Sequence, residues 1–199
     1  MKQMKITIAG RGLIVALALS CLVSCNDHDV PEIPNEEEIV TDVILSFLAE
    51  GSVVPVTALA QDPDGEGSQG LVVVSHPVLV PNTTYTLSIE VKNSLANTNI
   101  TDEIVAEGHE HMFFFAFADG LFSNPAGVGN VADRTQPVVY KDTDSQGLPV
   151  GLLTSWVTGS GGSGAFRVLL KHQPGIKSAT STSVDGESDI DITWTLDVQ

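Results

Sequence analysis

The stretch Glu107–Phe117, which reads EGHEHMFFFAF, sets two of the chain's five histidines directly against a run of phenylalanines. Two imidazoles spaced two apart on a strand share one face, about 7 Å apart at ~3.3 Å per residue. His109 and His111 can then reach one ion, and a neutral ring nitrogen is a good ligand for Zn²⁺ or Cu²⁺. Such a site needs a third and a fourth ligand. Glu107 and Glu110 lie in the same stretch, and His172 lies in LLKHQPG. In AFRVLLKH, alternation puts Phe166, Val168, Leu170 and His172 on one face, so His172 ends a strand on its apolar side as His111 begins one. Two such histidines can meet at one end of a β fold and share a metal. They can equally each hydrogen-bond a loop carbonyl.

Acidic turns offer a second chemistry. DPDGEG carries Asp62, Asp64 and Glu66 at alternate positions, and DTDSQG and DGESDID add further carboxylates. Hard oxygens around a tight glycine turn suit Ca²⁺. The glycine comes early for a calcium loop, however, and no bidentate Glu follows at the required spacing. Asp-Gly is also a strong hairpin signal, which is the preferred reading. Nucleophilic catalysis lacks a motif: there is no Gly-x-Ser-x-Gly elbow, and GSGGSG lacks the Lys and helix of a phosphate loop. No spacing singles out a carboxylate pair for glycoside hydrolysis. Trp194 and Tyr85 fall on faces that read as buried, which argues against sugar stacking.

These residues must be positioned by strands. From about residue 38 the apolar period is two. In TTYTLSIEV, Tyr85, Leu87, Ile89 and Val91 alternate with polar residues. In DIDITWTLDV, Ile190, Ile192, Trp194, Leu196 and Val198 face one way, and Asp189, Asp191, Thr193, Thr195 and Asp197 face solvent. Further strands are expected in EIVTDVILSFLAE, VVPVTALAQ, GLVVVSH, HMFFFAFA, QPVVYKD, GLLTSWVTG and GAFRVLLKH, with turn signals between them. HMFFFAFA is apolar on both faces, which predicts a central strand covered on each side. NITDEIVAEG predicts a turn or two of helix capped by Thr101. The expected fold is all-β: a single antiparallel β-sandwich, Ig-like or jelly-roll, over residues 38–199.

The first 24 residues read as an export signal, with a basic MKQMK followed by the short apolar GLIVALALSCLVS. The segment LVSC, Leu22 to Cys25, resembles the lipobox of bacterial lipoproteins, which implies cleavage before Cys25 and a diacylglycerol on its sulfur. Residues 25–37, rich in acid and proline, then read as a solvated tether, and acid directly behind the lipid cysteine resembles the surface-export signal of Bacteroidota lipoproteins. Loss of Lys2, Lys5 and Arg11 leaves 9 − 3 = 6 basic residues against 25 acidic ones. That balance opposes nucleic acid as a partner. Cleavage also removes Cys21, so neither a disulfide nor a thiolate metal site is expected in the folded part.

Taken together, NEEEIVTDVILSF, DPDGEG, LVPNTTYTLSIEVKN, ITDEIVAEGHEHMFFF, GLPVGLLTSWVTG and LKHQPGIK with DGESDIDITWTLDV resemble a group of small Bacteroidota outer-membrane lipoproteins. Members are sometimes automatically named periplasmic-binding-domain proteins, a label the β-rich pattern does not support, and their genes often stand beside TonB-dependent receptors. The resemblance spans Asn35 to the C-terminus. It implies a lipid anchor at the outer membrane, facing the periplasm or the cell surface, and a role in uptake, with such a receptor as partner. The group's pattern emphasises the second histidine position, which favours His111 with His172, and with Glu107, over His109. The expected role is a non-catalytic binding or accessory lipoprotein. Metal binding through Zn²⁺, Cu²⁺ or Ca²⁺ is the first alternative, and a cell-surface hydrolase the second.

Overall fold

The computed structural model describes residues 39–199. The signal segment, Cys25 and the tether lie outside the described residues. Two sheets pack face to face as a β-sandwich, antiparallel throughout except for the short parallel pair of the fourth and last strands. The strands are β1 (Asp42–Ala49), β2 (Val56–Gln61), β3 (Val72–Ser75), β4 (Val78–Leu79), β5 (Thr84–Asn93), β6 (Thr98–Asn99), β7 (His111–Phe117), β8 (Phe122–Asn124), β9 (Val139–Tyr140), β10 (Leu153–Thr158), β11 (Gly162–His172) and β12 (Glu187–Val198), with one helix, α1 (Ile100–Ala106), between β6 and β7. The larger sheet runs β3-β2-β1-β5-β10-β8, with β6 on β5 and β9 on β10. The smaller runs β4-β12-β11-β7. No helix among the described residues is long and apolar enough to cross a membrane.

Alternation explains the layers. On β5, Tyr85, Leu87, Ile89 and Val91 are buried, and on β12 so are Ile190, Ile192, Trp194, Leu196 and Val198. They meet Phe113, Phe115 and Phe117 of β7 and Phe166, Val168 and Leu170 of β11 in one core. At its centre Trp156 lies within 4.7–5.4 Å, ring centre to ring centre, of Phe115, Phe117, Phe122 and Phe166. Aromatic rings in tilted and edge-to-face arrangements of this kind add stability beyond the area they bury. Both tryptophans are fully buried, but only Trp156 has its N–H served, donating to Thr154 Oγ1 at 2.8 Å. Trp194 Nε1 has no hydrogen-bond partner among the described residues. Trp156→Phe should therefore cost about 1–3 kcal/mol more than Trp194→Phe, because the first orphans a buried hydroxyl and the second removes a desolvated donor. Paired urea melts check this, and equal losses would contradict it.

β7 is not central. It is the edge strand of the smaller sheet, yet both faces are covered as its composition requires. Met112 and Phe114 pack with Leu169 in a second cluster, with Val131 and Tyr140 against it. The Arg134 guanidinium lies 5.9 Å over Phe114. The free edge is closed by loops: Phe117 N donates to Val128 O at 3.0 Å, Asn130 N to Phe115 O at 2.7 Å, and Phe113 N to Val150 O at 2.7 Å. Gly129 makes this approach possible, since a Cβ there would strike the Phe115 carbonyl. An apolar edge strand must be protected in this way or it pairs with other chains.

The helix forms where expected, with a different cap. Asn99 occupies the N-cap position without a side-chain cap bond. The Thr101 hydroxyl instead pairs with the backbone of Val91, accepting from its N–H at 2.8 Å and donating to its carbonyl at 3.1 Å. That ties α1 to β5.

Candidate metal centre

The turn at residues 107–110 joins α1 to β7. The Glu107 carbonyl accepts from Glu110 N at 2.8 Å and from His111 N at 3.3 Å, which reverses the chain tightly. The same carbonyl faces His111 Nδ1 at 3.2 Å. A carbonyl only accepts, so this contact places the ring proton on Nδ1. Metal-bound histidines are commonly held by this backbone contact at the opposite nitrogen.

His172 stands directly opposite His111 in the β7–β11 register. Their rings are stacked, with centres 4.6 Å apart and planes 7° from parallel. Glu107, His111 and His172 each place one ligand atom within 4.8 Å of the others, the one such group of three among the described residues. A tetrahedral ion with bonds near 2.1 Å needs its ligand atoms about 3.4 Å apart. The group must contract by about 1 Å to close on an ion. His111, with no exposed side-chain surface, is the fixed member, and partly buried His172 and Glu107 are the ones with room to adjust.

The electrostatics favour a neutral His111. Burial pushes its pKa down to about 4, with the His172 ring and the Lys177 ammonium acting the same way, while the Glu107 carbonyl and the Glu110 carboxylate oppose. His111 is thus a competent ligand at any pH well above 4. Beneath the turn, buried Lys177 donates to Gly108 O at 2.6 Å and to Asp144 Oδ2 at 2.9 Å. Burial holds its pKa below the ordinary lysine value despite Asp144. The Asp144 carboxyl is pushed up by burial, but hydrogen bonds from Lys177 and from the backbone of Leu148 and Gln146 outweigh this and lower it. Gly186, at φ +76°, lies against the carbonyl of His172, where any Cβ would collide, so the loop before β12 closes over the end of β11.

His109 does not share a strand face with His111. The strand begins only at His111, and His109 lies in the turn, exposed, with Nε2 3.4 Å from Glu110 Oε1. Extended geometry cannot start at His109, because the chain there is still reversing out of the helix. Glu110 Oε2 also lies 3.5 Å from His172 Nε2, so this carboxylate spans the two rings.

The acidic loop is occupied by its own backbone. Asp62 Oδ1 accepts from Asp64 N at 3.1 Å and Gly65 N at 3.0 Å. Asp64 accepts from the backbone N–H groups of Ser68 and Gln69, at 3.2 and 3.3 Å. Glu66 is exposed. These residues lie in the loop that joins β2 to β3, an antiparallel pair. Asp142 likewise accepts from Gly151 N and Leu153 N, at 2.9 and 3.1 Å.

Residues that sequence reasoning did not single out complete the surroundings. Lys177 and Asp144 meet across 33 positions and carry no local signal. Asp189, expected on the wet face of β12, has only 11% of its side chain exposed and puts Oδ2 3.7 Å from His111 Nε2. No family model, curated protein or solved structure matches this chain.

Proposed function

We propose that this chain is a non-catalytic, lipid-anchored binding protein of the outer membrane that takes up a transition-metal ion, Zn²⁺ or Cu²⁺, between Glu107, His111 and His172. One observation carries the reading: three side chains from a turn and two strands bring ligand atoms within 4.8 Å of one another around a buried histidine held neutral. Neutral imidazole with carboxylate is a donor set these ions accept. The lipobox-like LVSC and the acidic segment behind it support the anchor. The resemblance to lipoproteins encoded beside TonB-dependent receptors supports such a receptor as partner, and co-purification of the lipidated protein in mild detergent tests that partner.

The metal reading is tested by titrating the processed protein, purified without a histidine tag, with Zn²⁺ and Cu²⁺ at neutral pH. Stoichiometric binding is expected, and His111→Ala should weaken it by roughly 100-fold or more while far-UV circular dichroism stays unchanged. Retained affinity in His111→Ala would overturn the site. Binding of Ca²⁺ alone would move the function to Asp62, Asp64 and Glu66.

A further inference from the structure

We draw no further inference here: the strongest candidate, the surface patch on the β3 edge of the larger sheet where Val72 and Val74 stand more than half exposed, is an unpartnered apolar face, and nothing in the structure shows what covers it.

Discussion

Lys177→Ala is expected to destabilise the domain by about 3–5 kcal/mol at neutral pH, because it strands the Asp144 carboxylate in the interior without its partner. Both side chains are almost fully buried, at 0% and 1% exposure. The ammonium also holds the Gly108 carbonyl, so one cation joins the turn at 107–110, the loop bearing Asp144 and the segment after β11. Equilibrium urea unfolding of wild type and variant measures the loss. The pH dependence identifies its origin. Protonated Asp144 carries no buried charge, so the penalty should shrink as pH falls into the carboxylate range. A penalty that is small, or constant with pH, would mean that the pair contributes only packing. Because Gly108 sits between Glu107 and His109, the variant should also loosen the turn and weaken metal binding.

The metal-free protein is expected to lose about 3 kcal/mol of stability between pH 6.5 and pH 4 on account of His111. Its pKa is lowered from the ordinary 6.5 to about 4 in the folded state, chiefly by burial. Above pH 6.5 the ring is neutral in both folded and unfolded chains. As pH falls below that value the unfolded chain takes up a proton that the folded chain refuses, and unfolding becomes easier until the folded pKa is passed. His111→Gln removes this proton uptake. Its stability should therefore decline less over the same interval, and the difference between the two profiles isolates the histidine. Identical profiles would show that His111 is not held neutral. Saturating Zn²⁺ should raise the stability of the wild-type protein and not that of the variant, because an ion that binds only the folded state stabilises it by mass action.

Period-two alternation was legible wherever the ladder runs without interruption. Tyr85 to Val91 and Ile190 to Val198 face the core as their spacing requires. Alternation is a local property, however, and it failed where the ladder does. Alternation alone puts Asp189 on the wet face, because the bulge opposite Leu170 and Lys171 depends on the partner strand. Alternation joins His109 to His111, but extended chain begins only at His111, after the turn that leaves α1. The two apolar faces of β7 announced a covered strand but not how it is covered. Loops closing over an edge and a second sheet strand beside it leave the same composition behind.

The sequence by itself determined that the chain is all-β and that His111 and His172 stand on core faces at strand ends. Those properties are written in neighbouring residues, because side-chain direction repeats every two positions along a strand. Only the tertiary structure decided that His111 and His172 stack across β7 and β11, that Glu107 joins them, and that Lys177, Asp144 and Asp189 surround them. Register, bulges and buried ion pairs arise between segments far apart in the chain, where the energy of pairing and burial, and not local preference, selects the partner.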